Sequence, residues 1–211
     1  MNNLERQELF DEWAKHYDRA VQDAITFPFD GYDNVLTHII QSANPNPTMH
    51  ILDVGTGTGN VAASFVKHGC RVVGIDFSTE MLEQAQAKVP QAQFLQVDLL
   101  GEWPPAIQQT FDYIVSAYVW HEFSLPTKIQ LLQRFASQHL KKGGAIIIGD
   151  IAFPNAVARE QAHQQWHNQW DESEYYWAAD EAIAACADVG LSMMYTQISS
   201  CGGVLHVTLA I

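Results

Sequence analysis

Residues Ile51–Asn60 read ILDVGTGTGN. An apolar, strand-forming run enters Asp53, and three glycines follow at alternate positions, Gly55, Gly57 and Gly59. Glycine reaches backbone conformations closed to other residues and puts no Cβ in the way. A strand that feeds such a turn therefore predicts a backbone lying against a ligand, its amides turned toward an anionic or polar group. A tight turn that merely packs a helix on a strand would also use glycines, and this stretch alone leaves both readings open.

The flanks carry an alternating pattern. Residues 4–21 place Leu4, Phe10, Trp13, Ala14, Tyr17 and Val21 at mostly three- and four-residue steps, one apolar face of a helix, and residues 32–42 repeat this with Tyr32, Val35, Leu36, Ile39 and Ile40. After ANPNP come a buried strand in MHILDV, a helix over 59–68, a strand in CRVVGID and a helix over 78–89 capped by Ser78. AQFLQVDL, FDYIVSAYV and GAIIIGDI read as further strands, with a helix over 126–140. Continuous apolar strands separated by helices predict a parallel sheet covered on both faces, a doubly wound α/β fold. The last two strands, LSMMYTQIS and VLHVTLAI, are joined only by SCGG, too short for a parallel crossover, so the sheet is expected to end in an antiparallel hairpin after a helix over 179–189.

Composition narrows the class. The 211 residues, 47% hydrophobic and 17% charged, suit one domain with a sizeable core. The formal charge is −13, from 11 basic and 24 acidic residues, and the basic ones are scattered, which argues against nucleic acid as a partner. No run of about twenty apolar residues suggests a membrane span, and the polar N-terminus is unlike a signal peptide, so a cytoplasmic location is expected. Cys70, Cys186 and Cys201 have no metal-ligand spacing and read as reduced thiols in or near the core.

The glycine spacing separates two ligand classes. A dinucleotide turn wants its third glycine five positions after its first; here it comes after four, and Asn60 holds the fifth. Asp76 closes VVGID and Asp98 closes FLQVD, so with Asp53 three aspartates end the first three strands and face one crevice. A carboxylate at the second strand end is suited to accept from two ribose hydroxyls.

With these motifs the chain resembles the class I S-adenosylmethionine-dependent methyltransferases over about residues 48–152, through LDVGTGTGN, GIDFSTEMLEQA, VDLL, FDYIVSAYVWHE and LKKGGAIIIGD, and its opening FDEWAKHYD is similar to that family's lid helix. The resemblance implies a seven-stranded, mostly parallel Rossmann-like sheet with a C-terminal hairpin. It divides the single domain into lid helices at 1–45, a cofactor-binding core at 48–152, a substrate-covering insertion at 153–178 and a C-terminal helix and hairpin at 179–211. It also implies that Asp53, Gly55, Gly57 and Gly59 line the methionine end of the cofactor, that Thr56 and Ser116 belong to the cofactor-binding residues, and that Asp76 holds the ribose. Phe77 and Met81 would sandwich the adenine, Asp98 and the Leu99 amide would read its edge, and Tyr17 would reach in from the lid.

Methyl transfer from a sulfonium needs a base only when the nucleophile keeps a proton. His121, in SAYVWHEF, is the candidate base, with Tyr118 and Trp120 as substrate contacts; a histidine capping the next helix or contacting backbone is the competing reading. His163 and His167, with Glu160 and Asp171, have a spacing open to a metal but read better as a polar helix face opposite Trp166 and Trp170, so no metal is expected. His163 and Trp166 then belong with Tyr175, Tyr176 and Trp177 in an aromatic cover over a small substrate. A module that binds the cofactor without transfer and a nicotinamide oxidoreductase are the alternatives, the second opposed by the glycine spacing. The acceptor and the oligomeric state are not readable.

Overall fold

The computed structural model describes residues 11–14, 16–22 and 26–210. Residues 4–10 of the expected first helix, Leu4 and Phe10 among them, lie outside the described residues. Residues 11–14 are helical, a turn follows at His16, and α1 spans Tyr17–Gln22, so the single long helix expected here is interrupted. The N–H of His16 is taken by the carbonyl of Trp13 and closes that turn.

From there the expected alternation holds: α2 (Tyr32–Ala43), β1 (His50–Val54), α3 (Asn60–Lys67), β2 (Arg71–Asp76), α4 (Thr79–Lys88), β3 (Gln93–Gln96), β4 (Phe111–Ala117), α5 (Leu125–Gln138) and β5 (Leu140–Phe153). α6 (Ala156–Gln165), the two-residue β6 (Trp177–Ala178), α7 (Ala179–Ala187), β7 (Leu191–Gln197) and β8 (Gly202–Leu209) follow. The sheet runs β3-β2-β1-β4-β5-β8-β7, with β6 added beside the end of β5. β1 to β5 pair in parallel, and β8 is antiparallel to both β5 and β7, which is the hairpin that the four-residue connection requires.

The pleat sends alternate residues to opposite faces, and each face has its own core. Leu52, Ile114 and Ile146 face Leu132 and Phe135 of α5, whereas Ile51, Val115 and Ile147 face Val35 and Ile39 of α2 and Phe65 of α3. Full burial of one such side chain stabilises the fold by about 1.5–3 kcal/mol. Gly149 of β5 lets α2 come close, because a Cβ there would sit 2.4 Å from a methyl of Val35.

Several boundaries differ from expectation. β3 stops at Gln96, since the backbone then turns at Asp98, whose Oδ1 accepts the N–H of Leu100 at 2.9 Å. β5 begins four residues early and ends two late because β4, β8 and β6 all pair along it. All three cysteines are buried free thiols. No helix among the described residues is long and apolar enough to cross a membrane.

Candidate functional site

The turn after β1 is built by positive backbone angles at all three glycines, φ +64° at Gly55, +51° at Gly57 and +85° at Gly59. Those conformations are strained for any residue with a Cβ. Gly57 also borders open space: a Cβ there would meet only the sulfur of Met81, 4.0 Å away. Gly59 serves the packing instead, as the N-cap of α3 with the Cβ of Ala85 3.2 Å from where its own would stand.

Asp76, at the end of β2, holds this turn from the side. Its Oδ2 accepts the N–H of Gly57 at 2.9 Å and its Oδ1 the N–H of Ser78 at 3.0 Å. Ser78 in turn caps α4 by accepting the N–H of Met81 at 3.1 Å, which places Phe77 and Met81 beside the glycines. Asp76, Phe77, Met81, Asp98 and Leu99 line one cavity of about 600 Å³ together with Gly55, Gly57 and Tyr17. The same cavity is also lined by Phe29, Tyr118, His121, Glu122, Phe123 and Glu174.

Asp53, Thr56, Gly59 and Ser116 stand behind that wall. Asp53 is fully buried; its Oδ2 accepts the hydroxyl of Thr56 at 2.7 Å, and the amide of Ala62 also bonds the carboxyl. Burial pushes the Asp53 carboxyl up to about 7 against these bonds, and its Oδ1 has no hydrogen-bond partner among the described residues. Ser116 donates to the carbonyl of Val54 at 2.6 Å and ties β4 to β1. These residues shape the turn rather than line the cavity, a correction to the expectation that all would face the ligand.

The opening helices close over the same turn. Asp18 of α1 accepts from the Thr58 hydroxyl at 2.6 Å, the Asn60 amide at 3.1 Å and the Lys88 ammonium at 2.6 Å. Tyr17 is thereby set against the cavity, with its hydroxyl hydrogen-bonded to that of Tyr32.

His121 sits in a short 3₁₀ turn, Trp120–Glu122, just past β4. Its Nδ1 lies 2.6 Å from Oδ1 of Asp150, and its backbone N–H donates to Oδ2 of the same carboxylate at 2.9 Å. An ionised carboxylate can only accept, so Nδ1 carries a proton and Nε2 is left facing Oε1 of Glu174 at 3.7 Å. Asp150 also accepts from the Trp177 indole at 2.9 Å and from the Ile151 amide at 2.9 Å. Burial by itself would raise its pKa, but His121, Lys128 and the Ile151 amide outweigh it and hold the carboxyl below the ordinary value. Burial pulls the His121 imidazole down, while the charge and hydrogen bond of Asp150 and the charge of Glu174 push it up more strongly, to about 8. Lys128 is buried as well, its Nζ bonded to the Tyr175 carbonyl and 4.0 Å from the Trp177 ring; burial brings its ammonium down to about 7.

Asp150 and Glu174 were absent from the sequence-based site. Asp150 had a signal: it is the one acidic residue within the apolar run of β5, as Asp53 is within that of β1. Glu174 had none, being one acid in a polar stretch.

The structure does not bring Trp120, His163 or Trp166 to this cavity. Trp120 is fully buried against Phe135 and Trp177, because consecutive residues of the turn point to opposite sides. His163 pairs with Glu172 at 2.8 Å and stacks on Trp170, and His167 bonds the Gln164 carbonyl. Trp166 and Trp170 stack on Phe27 at 5.2 and 5.5 Å, bracing from behind the loop whose Pro28 and Phe29 line the cavity. The aromatic segment is thus a buttress, and Glu174 is its contribution to the wall.

A model of the methyltransferase domain family matches residues 51–144. An uncharacterized methyltransferase of Geobacillus kaustophilus is 31% identical over 201 residues, spanning 90% of each chain. The uncharacterized methyltransferase YrrT of Bacillus subtilis is 30% identical over 200 residues, spanning 90% of this chain and 91% of that one. Among solved structures, a DhpI–SAH complex superposes with a TM-score of 0.73 at 14% identity, over 97% and 95% of the two chains. Magnesium protoporphyrin IX methyltransferase of Synechocystis PCC 6803 with bound SAH gives 0.72 at 15% identity, over 99% and 100%.

Proposed function

The chain belongs to the methyltransferase domain family, and from that premise we propose that it transfers the methyl group of S-adenosylmethionine to a small-molecule acceptor, with His121 as the base. The observation that carries this reading is the single cavity that runs from Gly57 and Asp76 to the His121–Asp150 pair. Its volume, about 600 Å³, is within the usual range for a small-molecule site.

The residues fit the cofactor. Gly57 leaves a cradle that a Cβ would begin to fill, and Asp76, which accepts the Gly57 and Ser78 amides beside it, is a carboxylate of the kind that accepts from ribose hydroxyls. Phe77 and Met81 line the cavity and would offer apolar surfaces to an adenine, for which Asp98 and the Leu99 amide would be polar partners. Asp53, Thr56 and Ser116 keep the turn in shape from below. S-adenosylmethionine supplies an electrophilic methyl on a sulfonium that is its own leaving group. The chain's work is then orientation and exclusion of water, and positioning of this kind is worth about 7–11 kcal/mol of a barrier. Tyr17, drawn in by Asp18, covers the cavity, and Asp150 holds the imidazole so that Nε2 is the atom that takes the acceptor's proton.

Calorimetry with S-adenosylmethionine, S-adenosylhomocysteine and NAD tests the cofactor. Binding of both sulfur nucleosides and not of NAD is expected, and comparable affinity for NAD would overturn the assignment. His121→Gln should keep S-adenosylhomocysteine affinity and lower turnover about 10²–10⁴-fold, the usual range for a lost general base.

A further inference from the structure

We infer that the methylated atom is the nitrogen of an amine, on an acceptor that reaches the cavity as a cation; this rests on the methyltransferase reading above. The acceptor end of the cavity carries two carboxylates. Glu122 and Glu174 have oxygens that, with a ring nitrogen of His121, all lie within 4.8 Å of one another. Elsewhere on the described lining the acidic groups are Asp76 and Asp98, and no lysine or arginine is among those residues. Lys128 is turned away, onto the Tyr175 carbonyl and the Trp177 ring. The rings of Phe29, Tyr118 and Phe123 line the same cavity. Aromatic faces beside carboxylates suit an organic cation, and this wall opposes an acceptor bearing a carboxylate or phosphate near its reacting atom.

The charge that moves during the reaction selects among nucleophiles. The ammonium gives up one proton to Nε2 of His121 and becomes a neutral amine. Its lone pair then forms the N–C bond as the methyl–sulfur bond breaks, and the bonding pair leaves on sulfur. Positive charge passes from sulfur to nitrogen, next to Glu122 and Glu174, so the two carboxylates stabilise charge where it develops. A phenolate or thiolate would instead have to form as an anion beside two carboxylates, and its methylation would end with no charge for them to hold.

The test uses the whole protein with S-adenosylhomocysteine bound and size-matched probes: benzylamine, benzyl alcohol, phenol, thiophenol and benzoate. Benzylamine should bind the complex tighter than the others on the order of tenfold, the effect of one hydrogen bond to a charged group. Glu174→Gln should erase that preference with S-adenosylhomocysteine affinity unchanged, and Glu122→Gln should reduce it. S-adenosylhomocysteine binding without any preference for the amine, or a preference that survives Glu174→Gln, would overturn the inference. So would Mn²⁺ binding to the wild type that Glu174→Gln abolishes, which would give the three groups to a metal. Failure to bind S-adenosylhomocysteine at all would remove the underlying reading, and the inference with it.

Discussion

Replacing Asp150 with asparagine keeps the shape of the buried hub and removes its charge. In the wild type burial pulls His121 down, and this carboxylate, with smaller help from Glu174 and Glu122, outweighs it and lifts the imidazole from its ordinary 6.5 to about 8. That difference corresponds to about 2 kcal/mol of stability, at about 1.4 kcal/mol per pH unit. Because the folded value is the higher one, the contribution is complete below pH 6.5 and is lost as pH rises through about 8. Lys128, which also feels the Asp150 charge, gives up its proton near 7, so its attraction to Asp150 fades over the same interval. Asp150→Asn should therefore cost about 3–5 kcal/mol at pH 6, as expected for breaking a buried ion pair, and about 2 kcal/mol less at pH 9. Urea unfolding of both proteins at pH 6, 7, 8 and 9 measures this gap directly. A gap that stays constant or widens with pH would refute the coupling. The same substitution should move the rising limb of kcat/KM down from about pH 8, since burial would then be opposed only by the charges of Glu174 and Glu122.

Gly57→Val should fold yet lose S-adenosylhomocysteine binding, because it fills the cradle and strains a backbone at φ +51°; unchanged affinity would make the turn purely structural. Asp76→Asn should weaken the same ligand by about 1–3 kcal/mol in calorimetry and lower the melting temperature slightly, since its oxygens also hold the Gly57 and Ser78 amides. Asp18→Ala, by cutting α1 from Thr58, Asn60 and Lys88, should reduce hydrogen-exchange protection of Tyr17–Gln22 and weaken ligand binding. If protection in the wild type is equally strong with and without S-adenosylhomocysteine, the helix is a fixed brace and not a lid. Trp120→Ala should cost about 3–5 kcal/mol in unfolding experiments and leave the acceptor KM unchanged; a changed KM at full stability would restore it to the cavity.

The doubly wound sheet, its terminal hairpin and the glycine turn were legible in the sequence because each depends on near neighbours. Continuous apolar runs specify buried strands, a four-residue link specifies antiparallel pairing, and alternate glycines specify a backbone close to something. Asp76 and Asp98 were legible for the same reason, as the residues where apolar runs stop. The pairing of His121 with Asp150, 29 positions away, depends on β4 and β5 lying side by side after the α5 crossover, and no local pattern records that distance. The side to which a residue points was equally hidden. Trp120 and His121 are adjacent, yet one enters the core and the other faces Glu174, because the 3₁₀ turn rotates between them. The aromatic segment at 155–177 looked like a cover by composition. Only packing against Phe27 made it a buttress, since burial of a large ring is decided by whichever surface the chain brings within reach, and the sequence states the ring without stating the surface.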